Sequence, residues 1–134
     1  MEDSFDRIKS LGEIPLSHAS RLRYLSEADQ SVFVTIRLGV LFVMAFWSGP
    51  SWLAFAQLKR ALAKFDPEGR LELVVVDTDG CPNLYDNPAW HGGIHGAGET
   101  AWISEGRVIY TGAYAPDMSA FESNTKRLLQ GYAK

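Results

Sequence analysis

Two serines, Ser48 and Ser51, flank a Gly-Pro pair directly after Trp47. An apolar run of strand length precedes them and a helical pattern follows at once. Hydroxyls at a strand-to-helix junction have two chemical uses. Ser48 can cap the helix, a position where serine is favoured because its oxygen satisfies free N–H groups. It can also hold an anion or thiol ligand at the positive helix end. No basic pair near the loop favours a phosphate or peptide-thiol substrate. A nucleophilic triad is formally available from Ser48 or Ser51, His91 or His95, and Asp77 or Asp79. No Gly-x-Ser-x-Gly elbow accompanies it. His91 and His95, with Cys81 and Asp86 upstream, have ligand chemistry, but Gly92, Gly93 and Gly96 break the helix that would bring the histidines together. Cys81 is a lone thiol without a resolving partner.

The elements that position these groups read as an alternating order. Residues Asp3 to Asp29 are expected to be helix-rich, with Phe5, Ile8 and Leu11 on one face. Leu16, Ala19, Leu22, Leu25 and Ala28 recur at three-residue intervals and predict a second helix after Pro15. Ser31 to Thr35 reads as a short strand, and Gly39 to Phe46 as a buried parallel strand. A helix is expected over Pro50 to Phe65, with Trp52, Phe55, Ala56, Leu58, Leu62 and Phe65 near one period. It ends in the turn residues Asp66-Pro67-Glu68-Gly69. Leu71 to Asp77 is a second apolar strand, so a parallel crossover joins the two. Asp77 to Gly98 is a glycine- and proline-bearing loop with at most a short helix near Leu84 to Trp90. Glu99 to Ile103 and Arg107 to Thr111 predict a hairpin, and Asp117 to Tyr132 an amphipathic closing helix with Met118, Phe121, Thr125, Leu128 and Leu129 inward.

Bulk properties narrow the classes. At 134 residues the chain is one domain's worth and can bury a core without staples. Its net charge of −3 gives no electrostatic pull toward nucleic acid or an anionic membrane. The apolar run Leu38 to Trp47 is too short for a membrane span. The start, Met-Glu-Asp-Ser-Phe-Asp, lacks the basic and apolar regions of a signal peptide, and a single cysteine excludes an internal disulfide framework. A soluble, cytoplasmic protein is expected.

Val40 to Trp52, centred on Trp47-Ser48-Gly49-Pro50-Ser51, resembles the active-site loop of the thioredoxin superfamily, Trp-Cys-Gly-Pro-Cys, with serine in place of each cysteine. Val74 to Asp79 resembles the family's second core strand and its acidic exit. Glu105-Gly106 with Val108-Ile109 resembles its hairpin turn and last strand, and Gly112 the glycine before the closing helix. The resemblance covers about Val32 to Leu129 and implies an α/β fold with a central mixed β-sheet flanked by helices. Residues 1–30 are then an added N-terminal helical segment and 31–134 the thioredoxin-like domain.

The family's chemistry needs an activated thiolate and a resolving thiol, which Ser48 and Ser51 do not supply. The resemblance places Phe42 where active members often hold a buried Asp, and Gly98 where they hold a cis-proline. Both departures favour natural divergence over a laboratory Cys→Ser pair, which would leave those positions intact. The expectation is a redox-inactive protein that binds a protein or peptide through Trp47, Ser48, Gly49, Pro50, Ser51, Trp90 and Gly98, without a cofactor or metal. Ser48 and Ser51 are then vestigial active-site positions. Trp47, Trp52, Trp90 and Tyr114 are candidate walls of a groove. The alternatives are an oxidoreductase in Cys-to-Ser form, or an enzyme using Ser48 on another substrate.

Overall fold

The apolar run Leu38–Met44 becomes the central strand because both of its faces are covered. The computed structural model describes residues 18, 22–80, 84, 96–113 and 120–131. Five strands, β1 (Arg23–Leu25), β2 (Leu38–Met44), β3 (Glu72–Asp77), β4 (Thr100–Ser104) and β5 (Arg107–Gly112), form one sheet in the order β1-β3-β2-β4-β5. β1 and β2 both run parallel to β3, whereas β4 is antiparallel to β2 and to β5. This is the expected α/β architecture, a thioredoxin-like mixed sheet with helices.

Side chains alternate between the faces as pleating requires. Val40, Phe42, Met44, Leu73, Val75 and Trp102 meet α1 (Gly49–Phe65) and α2 (Ala120–Leu129) through Phe55, Leu58, Leu62, Phe121 and Leu128. Leu41, Val43, Val74, Val76, Ala101 and Ile103 are covered by Val32, Phe33, Ile36 and Leu84. Two polar bonds fix α2 in register. The buried Trp102 Nε1–H donates to Thr125 Oγ1 at 3.0 Å, and the Thr125 hydroxyl donates to the Phe121 carbonyl at 2.7 Å.

The β2-α1-β3 unit, the hairpin and the closing helix form where the pattern puts them. Asp117 to Ser119 and Tyr132 lie outside the described residues, as does most of the 81–95 loop. In the hairpin, Glu105 and Gly106 both take positive φ, 53° and 76°, the conformation of a tight two-residue turn.

Three expectations are corrected. Arg23–Leu25 is a strand, not helix: Leu22 and Tyr24 pack toward the α1 face and Leu25 toward the other, a period of two imposed by pairing with β3. Ser31 to Thr35 is not a strand but the body of a 3₁₀ turn, Gln30–Thr35, with adjacent Val32 and Phe33 both buried. Asp29 nucleates it by accepting from the Ser31 N–H at 2.9 Å and from the Ser31 hydroxyl. These bonds, the hydroxyl's first, hold the Asp29 carboxyl below the usual carboxylate range. Within α1, Ala56 is exposed rather than inward, while Ser51, Ala54 and Ala61 are buried.

The turn after α1 carries a buried polar junction that one-dimensional periodicity does not reveal. The Asp66 carboxylate accepts from the Arg70 N–H, the Leu71 N–H and His18 Nε2, each at 2.8 Å. His18 and Asp66 are both essentially inaccessible. His18 thereby fixes the chain ahead of β1 to the C-terminal end of α1. That is about 25 Å from Ser48, given 1.5 Å of rise per residue. Replacing His18 by Ala leaves a buried carboxylate short of one donor. We expect a loss of about 1–3 kcal/mol in urea unfolding. His18→Gln, which keeps a donor at the position of Nε2, recovers part of that loss. Equal stability of His18→Ala and the parent would show that the contact contributes nothing.

Candidate functional site

The junction between β2 and α1 is built from tight local bonds. Ser48 adopts an extended backbone (φ −111°, ψ 122°) as the N-cap of α1, and Pro50 fits the first turn, where its missing N–H costs nothing. The Ser48 N–H donates to the Ala45 carbonyl at 3.0 Å, and the Ser48 carbonyl accepts from the Trp52 N–H at 3.3 Å. The expected side-chain cap is absent. Instead the Ser48 hydroxyl donates to the Gly96 carbonyl at 2.5 Å, tying the helix start to the segment before β4.

Ser51 is fully buried beneath the first turn. Its Oγ accepts from the Ala45 N–H at 3.0 Å and donates to Met44 Sδ at 3.4 Å. The proton acceptors of the two serines are therefore a carbonyl and a thioether, neither of which serves as a general base.

Phe42, on β2 one turn below, packs on Phe55 with ring centroids 4.9 Å apart. No carboxylate occupies this inner position. Gly98 faces the same place: a Cβ there would lie 2.3 Å from Ala54 Cβ and 3.1 Å from Phe42 Cζ. Its φ of +71° is also incompatible with the fixed negative φ of proline. Gly96, at φ +73°, lies under the Trp47 indole, whose Cη2 is 2.7 Å from where a Cβ would stand. The segment 96–99 thus approaches the helix start at two glycines and is held by the Ser48 bond and by the Val43 N–H donating to the Glu99 carbonyl at 2.9 Å.

Of the residues singled out in sequence, Trp47, Ser48, Gly49, Pro50, Ser51 and Gly98 come together here. Their exposure separates them. Trp47 is 67% exposed, Gly49 and Pro50 are exposed, and Ser48, Ser51 and Gly98 are buried. Trp52 turns away from the surface, donating its Nε1–H to the Phe46 carbonyl at 2.9 Å and meeting the Phe46 ring edge-on at 5.7 Å. Trp90, Tyr114, Cys81, Asp86, His91 and His95 lie outside the described residues. Of the two carboxylates of the formal triad, Asp77, the last residue of β3, accepts from the Tyr24 hydroxyl at 3.2 Å and from the Asp79 N–H at 2.9 Å. Among the described residues, no three His, Cys, Asp or Glu converge as a metal site, and no helix is long and apolar enough to cross a membrane.

Two exposed apolar residues were not singled out in sequence: Leu53, 52% exposed on α1, and Val34, 73% exposed on the 3₁₀ turn. A helical wheel carries the signal, since Leu53 falls opposite Phe55, Leu58 and Leu62. A separate cleft of about 560 Å³ lies between β1 and the 3₁₀ turn. Its cation, Arg23, is already engaged with Glu72 at 3.5 Å and Thr35 at 3.2 Å.

Solved structures share this fold. The chain is similar to desulfothioredoxin from Desulfovibrio vulgaris Hildenborough in its reduced form, at 14% identity and a TM-score of 0.57 over 82% of this chain and 95% of that one. It is similar to Plasmodium falciparum thioredoxin at 16% identity and a TM-score of 0.53, covering 83% and 99%. A third similarity, at 16% identity and a TM-score of 0.59 over 80% and 95%, is to a yeast structure concerned with thiol resolution in mitochondrial 1-Cys peroxiredoxin via glutathione and thioredoxin systems. No family model and no curated protein matches the chain.

The two glycines with opposite surroundings give a direct test of the site's packing. Gly98→Ala forces a Cβ into Ala54 at positive φ and should lower stability by at least about 1–2 kcal/mol in urea unfolding. Gly49→Ala, with open space around it, should change stability by less than about 0.5 kcal/mol. Comparable losses for both would mean that segment 96–99 does not pack against α1 in solution.

Proposed function

We propose that this thioredoxin-like protein has no disulfide exchange activity at Ser48 and Ser51 and works by binding a protein or peptide through the face around Trp47. The observation that carries this reading is the division of the motif by exposure. Both residues standing in the positions of the reactive thiols are buried and hydrogen-bonded, while Trp47, Gly49 and Pro50 are at the surface. A site for chemistry needs its reactive atoms accessible and beside a base. A binding face needs an exposed aromatic anchor and a shape held rigid beneath it. The Phe42 side chain and the backbone of Gly98 add to the case, because the inner carboxylate and the proline of a working dithiol site are both replaced.

Two measurements separate binding from oxidoreduction. The wild-type protein should not catalyse reduction of insulin disulfides. The Ser48→Cys, Ser51→Cys double variant should do so only feebly, for want of a proton acceptor at position 42. Brisk reduction by that variant would support the Cys-to-Ser reading of the site. In parallel, a partner captured from lysate of the source organism should be lost on Trp47→Ala in a protein that stays folded. Retention of the partner by that variant would place the binding surface elsewhere.

A further inference from the structure

The end of the sheet opposite Trp47 carries a further cleft, of about 320 Å³, walled by Arg37, Leu38, Arg70, Glu72, Ser104 and Glu105. β2 starts there at Leu38, and Trp47 lies beyond its far end. Roughly 20 Å of strand therefore separates this cleft from the face proposed for binding, at about 3.3 Å per residue.

Two sets of backbone bonds fix its walls. On one side the Glu105 N–H donates to the Arg37 carbonyl at 2.6 Å and the Gly106 N–H to the Ile36 carbonyl at 2.9 Å, which ties the hairpin tip to the entry of β2. On the other, the Arg70 N–H donates to the buried Asp66 carboxylate at 2.8 Å and so anchors the backbone that carries the Arg70 side chain.

The carboxylates in the wall are already committed. Glu72 faces Arg23 at 3.5 Å and accepts from the Arg37 N–H at 3.3 Å, and Glu105 lies 4.0 Å from Arg37 Nε. The Arg70 guanidinium has no acidic partner among the described residues. Nor has that of Arg107, the cross-strand partner of Ser104, whose Cβ stands about 5 Å from the serine's on the same face. Ser104 is 9% exposed, and its hydroxyl makes no hydrogen bond among the described residues. Buried hydroxyls ordinarily find a partner. This one belongs to a cleft whose uncommitted polar side chains are donors.

We infer that this cleft binds the phosphate group of a small phosphate monoester, with Arg70 and Arg107 taking its charged oxygens and Ser104 donating to another. Guanidinium forks match phosphate oxygens two at a time. Donors converging from three chain positions fit a tetrahedral anion better than a planar carboxylate. The volume, near the lower bound for ligand sites, leaves room for a small organic group against Leu38.

The test is an NMR titration of the isotope-labelled protein at constant ionic strength with inorganic phosphate, glycerol phosphate or malonate. Both phosphates should shift the amide signals of Arg70, Ser104 and Glu105 saturably, and malonate should bind at least roughly tenfold more weakly. Ser104→Ala should weaken phosphate binding by roughly tenfold or more, as expected for a hydrogen bond to a charged group. Arg70→Gln with Arg107→Gln, both at exposed positions, should abolish saturation while the spectrum stays that of the folded protein. Trp47→Ala should change none of this. No saturable shift with either phosphate overturns the inference, as does saturation that survives loss of both arginines. Equal binding of malonate overturns the phosphate assignment in favour of a carboxylate, and binding of inorganic phosphate alone overturns the monoester.

Discussion

The close approach of segment 96–99 to the start of α1 is the constraint on which the functional end of this molecule depends. Three independent features produce it. Gly98 lacks the Cβ that would strike Ala54, Gly96 lacks the one that would strike the Trp47 ring, and the Ser48 hydroxyl reaches the Gly96 carbonyl. Both glycines hold positive φ, which bulkier residues adopt only at a cost of about 1–2 kcal/mol. The segment then enters β4 beside β2, where the Val43 N–H meets the Glu99 carbonyl and the antiparallel ladder begins at Thr100 and Phe42. One contact therefore sets both the entry of β4 and the attitude of Trp47.

The chemical consequence follows from where the hydroxyls send their protons. Ser48 gives its proton to a carbonyl, and Ser51 lies in a buried niche between the Ala45 N–H and Met44 Sδ. In a dithiol protein the outer sulfur must be open to substrate and ionisable at the helix end. Here the outer group is instead part of the scaffold, as the bond that joins the loop to the helix. The similarity to thioredoxins describes a backbone framework, and at about 14–16% identity it carries the fold alone.

How much of this was legible in sequence depended on whether the signal was local. The β2-α1-β3 unit, the hairpin and α2 were readable because long apolar runs and helical periods are set by neighbours in the chain. β1 was not, since Leu22, Leu25 and Ala28 fit a three-residue spacing as well as a strand's alternation, and only pairing with β3 decides between them. The bonds of Ser48 to Gly96 and His18 to Asp66 each join residues far apart in sequence, so neither partner could be named in advance. Ser48 looked like a cap because position favours that role, but its hydroxyl donates to the Gly96 carbonyl and makes no side-chain cap bond. Leu53 was missed for a different reason. The inward period of α1 was read from Trp52, Phe55, Ala56, Leu58, Leu62 and Phe65, and the outward stripe, where 100° per residue puts Leu53, was not read.

Leu53 bears on the proposed function, because an apolar side chain on the outward stripe has no folding role to account for it. Trp47 carries the point further. Its indole lies over Gly96 on a turn fixed by the Ser48 and Ala45 bonds, so a largely exposed ring is already held in place before any partner arrives. Association is opposed by the entropy of ordering side chains at the interface, about 0.5–1.5 kcal/mol for each flexible one. On the proposed binding reading, an exposed ring with one side resting on Gly96 has less freedom to lose than one free on all sides. On the same reading the Trp47-Ser48-Gly49-Pro50-Ser51 turn has a physical rationale: the tight glycines of segment 96–99, the proline at the helix start and the Ser48 bond support the turn that carries the aromatic ring.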